Sequence, residues 1–134
     1  YGPKGFLQYQ CVVPYDHGYE TVKDILGAIA VARAGSFLAV LKIFGDRKSP
    51  GLLSFPRPGV TLALDFPHQP NVLALLDSLD ELTRSAGGAV YPAKDARMSG
   101  HNFVNYYPQW EDIQEFVDPG SRSHFWKRVT VPGA

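Results

Sequence analysis

Two stretches with helical periodicity each sit between stretches with strand periodicity, and this order leaves few folds open. Residues 6–13 (Phe-Leu-Gln-Tyr-Gln-Cys-Val-Val) are rich in aromatic and β-branched side chains and stop at Pro14, as a strand does. From Gly18 to Arg33, Tyr19, Val22, Ile25, Leu26, Ile29 and Ala32 recur at helical spacing, and Gly35 supplies a stop. Phe37 to Phe44 predicts a second strand, closed by Gly45-Asp46, and a Pro- and Gly-rich loop follows from Arg47 to Gly59. Val60 to Phe66 predicts a third strand. Pro70 opens a second helix with Val72, Leu75, Leu76, Leu79 and Leu82 on one face, stopped at Gly87-Gly88. Ala89 to Lys94 predicts a short fourth strand, and the tail from Met98 predicts short helical stretches around Tyr107-Pro108 and near Trp126. The order β-α-β-β-α-β is that of an α+β, ferredoxin-like unit, a four-stranded antiparallel sheet with both helices on one face. The expected organisation is a domain over residues 1–97 with a helical tail, 98–134, packed on it.

Composition excludes several classes. Thirteen basic and thirteen acidic side chains cancel without a run of one sign, so the basic footprint of a nucleic-acid binder is absent. One cysteine, Cys11, excludes an internal disulfide and a repeated metal-ligand pattern. His17, His68, His101 and His124 are scattered without metal spacing, so no metal is expected. No apolar run approaches the roughly 20 residues of a spanning helix, and no basic start leads into an apolar stretch as in a signal peptide. A cytoplasmic location is expected, with membrane association left open for a full-length protein. The chain opens at Tyr1-Gly2-Pro3-Lys4-Gly5 directly before a strand, as a piece of a longer protein would.

Successive side chains of a strand point to opposite faces. Leu7, Tyr9, Cys11 and Val13 share one face of the first strand; Phe37, Ala39, Leu41 and Ile43 one face of the second; Val60, Leu62, Leu64 and Phe66 one face of the third. These apolar sets are expected beneath the two helices. Gln8, Gln10, Val40, Lys42, Phe44, Thr61 and Ala63 then meet on the helix-free face, with Val40 and Phe44 more accessible than Leu41 and Ile43. Such a mixture suits an ordinary wet sheet face or a ligand wall. Tyr91-Pro92-Ala93-Lys94-Asp95 brings a second lysine towards the same sheet and favours the wall. Two amides and two ammonium groups suit an oxygen-rich or anionic ligand, and donors aimed at an electron-accepting ring would stabilise developing negative charge. Left without its natural cover, this face could also form a homodimer through a two-fold contact.

Five blocks occur in a familiar order: Gly5-Phe6-Leu7-Gln8-Tyr9-Gln10, residues 37–45, Leu53-Ser54-Phe55-Pro56-Arg57-Pro58-Gly59, Leu64-Asp65-Phe66-Pro67, and residues 91–97. Together they resemble the C-terminal half of the decaprenylphosphoryl-β-D-ribose 2'-oxidase family, within the FAD-linked oxidases of the vanillyl-alcohol oxidase type. The resemblance runs to about Trp126. It implies a flavoenzyme whose own N-terminal FAD domain holds most of the cofactor, while the present region caps the flavin and shapes the pocket for a sugar or polyprenyl-phospho-sugar substrate. It implies oxidation of the 2'-hydroxyl to a ketone, with a separate reductase partner completing the epimerisation. Carried over by motif, Lys94 matches the lysine against flavin and substrate, Tyr91 its neighbour at the cofactor, and Gln8, Gln10, Val40, Lys42 and Phe44 pocket-lining positions. Ala63 stands where a family member has cysteine and Thr61 where it has asparagine, so covalent capture by inhibitors at that cysteine position is not expected and the sugar and its carrier stay open.

Asp95 and Arg97 are expected to pair or cap locally, Cys11 to be a buried thiol, and Trp110 and Trp126 to pack the tail onto the domain. No Ser-His-Asp arrangement and no phosphate-cradling Gly loop is visible. A free-standing ferredoxin-like ligand-binding or dimerisation module is the alternative to the oxidase fragment.

Overall fold

The computed structural model describes residues 3–95 and 97–130. Four strands, β1 (Phe6–Val13), β2 (Leu38–Phe44), β3 (Gly59–Pro67) and β4 (Ala89–Val90), form one antiparallel sheet in the order β2-β3-β1-β4. Helices α1 (Tyr15–Val31) and α2 (Pro70–Ser85) pack on one face. This is the ferredoxin-like arrangement expected from the element order. The tail adds α3 (Gly100–Tyr106), α4 (Trp110–Gln114) and α5 (His124–Thr130).

Element ends depart from the pattern where prolines and caps intervene. α1 starts at Tyr15 rather than Gly18, with Pro14 as its N-cap and the His17 amide donating to the Pro14 carbonyl at 3.1 Å. β4 stops at Val90, not Lys94, because Pro92 has no amide to donate and its fixed φ enters a 3-10 turn, Pro92–Lys94. Gly88 is required by close approach: a Cβ there would lie 2.4 Å from the Val12 carbonyl oxygen.

Beneath the helices, Leu7, Tyr9, Cys11 and Val13 of β1 and Leu62, Leu64 and Phe66 of β3 form the core with Ile25 and Ile29 of α1 and Val72, Leu75, Leu76 and Leu79 of α2. The Tyr9 hydroxyl meets Thr83 Oγ1 at 3.0 Å, so its one polar atom is satisfied inside. The tail joins the same core through Met98, Phe103, Tyr106, Tyr107 and Val129, with Trp110 and Trp126 packed against it. The Tyr106 hydroxyl donates to the Asp80 carbonyl at 2.9 Å and that of Tyr107 to the Val90 carbonyl at 2.7 Å.

One expectation is reversed. Leu41 and Ile43 are 60% and 73% exposed, whereas Val40 and Phe44 are half-buried. The faces themselves are as alternation assigns them: Leu41 and Ile43 look to the α1 side, where they line a groove with Gly18, Tyr19, Val22, Leu26 and Val60. α1 packs on β3 and β1 and does not extend over β2. At Gly18 a Cβ would come within 2.8 Å of Val60 Cγ2, so this end of the helix is drawn down onto β3. Position on a helix-side face therefore did not bring burial at the sheet edge.

The core predicts alkaline sensitivity. Burial pushes the Cys11 thiol up to about 11 and raises the phenols of Tyr9, Tyr106 and Tyr107. The unfolded chain loses these protons near the ordinary values of about 8.5 for cysteine and about 10 for tyrosine. Above those values the unfolded state binds fewer protons, so the stabilisation present below pH ~8.5 is lost as pH rises, by about 1.4 kcal/mol per unit for each such group. Urea midpoints should fall steadily between pH ~8.5 and ~11; midpoints that stay level across that range would contradict the burial.

Candidate functional site

On the helix-free face the register aligns side chains in rows. Gln8 lies opposite Asp65, Gln10 opposite Ala63, and Val12 opposite Thr61; β2 continues the last two rows with Val40 and Lys42. Gln8 Nε2 donates to Asp65 Oδ1 at 3.1 Å. A carboxylate only accepts, so the amide end facing it must be the NH2, and the Gln8 carbonyl oxygen is left for a donor. Gln10 Nε2 donates to the Thr61 hydroxyl at 3.2 Å. Asp65 is buried on this face. Alternation puts it there too, one step beyond Ala63, and its burial adds a carboxylate to the amide row that the expected wall lacks.

Part of the face is covered by the loop between β2 and β3. Phe55, buried, stacks on Tyr91 with centroids 4.6 Å apart and meets Phe44 edge-on at 5.9 Å. Phe44 is on one edge strand and Tyr91 follows the other, so Phe55 lies across the strands between them. Thr61, expected on an open wall, is only 1% exposed. Arg57 fastens this loop to the tail: its Nη1 donates to the Tyr106 carbonyl at 3.1 Å and its guanidinium lies 5.2 Å from the Tyr107 ring centroid. Burial lowers its pKa. The part left accessible carries Gln8, Gln10, Val40, Ala63 and Tyr91, all partly exposed, and Lys42, exposed.

Tyr91 extends the sheet by one rung, its amide donating to the Gln10 carbonyl at 2.8 Å, and Lys94 follows in the 3-10 turn with its amide donating to Tyr91 at 3.1 Å. Lys94 and Gln8 line a common cavity of ≈ 10 Å³ with Tyr9, Asp80, Asp95 and Arg97, room for about one water. The structure therefore brings Gln8 and Lys94 together. Lys42 is on the opposite edge strand and in a different row, three strand spacings or about 14 Å across the sheet and further still along it, so the two lysines do not converge.

The Lys94 turn is tied down on its C-terminal side. Asp95 Oδ1 accepts the amides of Arg97 (2.9 Å) and Met98, while Asp95 Oδ2 pairs with Arg128. Arg97 reaches away to α2, 2.9 Å from Asp80 and 3.0 Å from Asp77. The local cap expected of Asp95 is present, and the partner of Arg97 lies on α2. Burial opposes the charge on Arg97, but its hydrogen bond to Asp80 and the Asp80 charge outweigh this and raise its pKa. Asp80 is fully buried and also accepts from Asn102 Nδ2 at 3.2 Å. No sequence signal marked this pair, because Asp80 falls on the buried stripe of α2 where an apolar residue is the rule.

The fold and this face define the class of the molecule: a ferredoxin-like α+β domain with one partly covered, amide- and ammonium-bearing sheet face. No family model matches the chain. Over 125 residues, 89% of the chain, it is 40% identical to the decaprenylphosphoryl-β-D-ribose oxidase of Mycolicibacterium smegmatis, of which the match spans 26%. Over 123 residues, 88% of the chain, it is 38% identical to an uncharacterized protein in the mprA 5' region of Streptomyces coelicolor, of which the match spans 33%. The chain is thus related to a segment of an oxidase, and spans a third or less of the curated relatives it matches.

Removing Arg97 should leave the Asp80 carboxylate buried and unpaired. Arg97→Met is expected to cost ~3–5 kcal/mol in urea unfolding, and adding Asp80→Asn in the same chain should recover part of that loss because no uncompensated charge stays inside. An Arg97→Met chain as stable as wild type would refute the pair's structural role.

Proposed function

We propose that this chain is the C-terminal substrate-binding part of an FAD-dependent oxidoreductase that oxidises a hydroxyl of a sugar, of decaprenylphosphoryl-ribose kind, to a ketone. The observation that carries this reading is the sheet face itself: Gln8, Gln10 and Tyr91 lie side by side on a surface half closed by Phe55, with the turn that bears Lys94 next to Gln8, within the stretch that is 40% identical to the oxidase. When bound, FAD would supply the hydride acceptor, and Lys94 and Tyr91 are the residues that would face it. Gln8 and Gln10, each with its NH2 held by a neighbour, offer carbonyl oxygens to sugar hydroxyls. Val40 and Phe44 give an apolar floor, and exposed Lys42 suits an anionic part of the substrate. The Lys94 ammonium favours any state with more negative charge beside it, and only such differential stabilisation speeds a chemical step. A separate reductase acting on the ketone and membrane association of the longer protein belong to the same proposal; no helix among the described residues is long and apolar enough to cross a membrane.

The test uses the longer protein that contains these residues. It should purify with a flavin spectrum, and Lys94→Ala should slow flavin reduction at saturating substrate by about 10²–10³-fold, the effect of losing one oxyanion donor, ~2.7–4 kcal/mol. Lys42→Ala should act mainly on substrate affinity. The 134-residue chain alone should be colourless, since it has no helix start or Gly loop suited to a pyrophosphate. Unchanged flavin reduction in Lys94→Ala would remove Lys94 from the chemistry, and a longer protein without flavin would leave the ligand-binding module as the reading.

A further inference from the structure

Three cations meet at one cavity without a carboxylate to pair with. The loop between β2 and β3 and tail residues 106–109 enclose a space of ≈ 390 Å³, to which Arg47, Lys48 and Arg57 all contribute. No acidic side chain lines it; Asp46 precedes Arg47 in sequence but stays outside. The other arginines that the fold holds are compensated: Arg84 by Glu81, Arg97 by Asp77 and Asp80, and Arg128 by Asp95. Arg57 is half-buried and pairs with no carboxylate among the described residues. Its Nη1 donates to the Tyr106 carbonyl and its Nε to that of Phe55 at 3.4 Å, which fixes the fork beside the Tyr107 ring and leaves Nη2 for a ligand. Carbonyls and a ring face satisfy its geometry but not its charge, and burial lowers its pKa. An anion in the cavity would supply the missing partner.

We propose that this cavity binds the phosphate group of an organic ligand. A phosphate carries at least three acceptor oxygens around one centre, which suits an arginine fork and two further cations better than the two oxygens of a carboxylate do. Ser54 adds a hydroxyl donor to the same lining. Arg57 is held by the fold, while Arg47 and Lys48 are exposed at the rim and can close on the anion. The volume lies within the range of small-molecule sites, about 300–1,000 Å³, so there is room beside the phosphate for the group that bears it, against Leu52, Pro56 and Pro108. Gln8, Gln10, Lys42 and Lys94 do not line the cavity. It is therefore a second site, and the proposal stands independently of flavin and sugar.

Thermal unfolding of the longer protein in inorganic phosphate, acetate or chloride at one ionic strength tests it. A ligand held only by the folded state raises Tm with its concentration, and phosphate should do so where acetate and chloride do not. Arg47→Ser combined with Lys48→Ser alters only exposed side chains, so Tm in chloride should stay at the wild-type value while the phosphate Kd rises tenfold or more. Arg57→Lys, which keeps the charge and loses the fork, should weaken phosphate binding as well. Retention on phosphatidylglycerol vesicles and not on phosphatidylcholine vesicles, lost in the double variant, would assign the phosphate to a lipid headgroup even without an effect of inorganic phosphate. Stabilisation by inorganic phosphate without such retention would assign it to a soluble phosphate ester. Equal effects of phosphate and acetate, or equal effects of phosphate on wild type and double variant, with no vesicle retention, would overturn the proposal. None of these readings needs activity, so a longer protein without flavin that binds phosphate here would sink the oxidase reading alone.

Discussion

The register between β1 and β3 sets what lies on either side of the sheet. With Cys11 opposite Leu62 and Tyr9 opposite Leu64, the two central strands turn an unbroken apolar set towards the helices and the Gln8–Asp65 and Gln10–Ala63 rows away from them. A slip of one residue in β1 would exchange the sets, carrying Gln8 and Gln10 under α1 and α2 and putting Leu7, Tyr9 and Cys11 on the other side. Each amide buried without a partner costs about 1–3 kcal/mol on protein scales, and the lost apolar burial adds to it. Core and candidate site are therefore specified by one register, and neither can change without the other.

Alternation made the faces legible but not their covers. Gln8, Gln10, Val40, Lys42 and Ala63 lie where the pattern puts them because period-two geometry is local. Whether Leu41 or Thr61 meets solvent depends on elements far away in sequence. α1 is drawn onto β3 at Gly18, which leaves Leu41 and Ile43 open, and Phe55 of the β2–β3 loop packs between Phe44 and Tyr91 on the face where Thr61 is buried. Neither effect has a periodicity to read. The same holds for Asp80: a carboxylate on an apolar helical stripe reads as an interruption until Arg97, on another element, is seen beside it.

That pair bears on the site through the turn that carries Lys94. A lysine in a free loop has about 2 kcal/mol of rotamer entropy to lose on being held, and a mobile backbone would add to that. Here the backbone after Lys94 is held from three directions: by the Asp95 cap, by Arg97 on α2, and by Arg128 of α5, whose Nε donates to the Met98 carbonyl at 3.2 Å. Helix α5 of the tail thus braces the turn that carries Lys94. Chemistry that depends on an ammonium group within a few tenths of an ångström needs such support in the second layer.

How much that ammonium can do depends on water. A charge interacting at 4 Å is worth about 1 kcal/mol in bulk solvent and about 4 kcal/mol at an effective dielectric of 20. Phe55 closes one part of the sheet face, but Lys94, Gln8 and Gln10 remain partly exposed and Lys42 is exposed. On this domain alone these groups stand in water-screened positions, where their field is weak. Its strength would come from whatever excludes water above the amide rows, so covering the face and activating Lys94 would be one physical event.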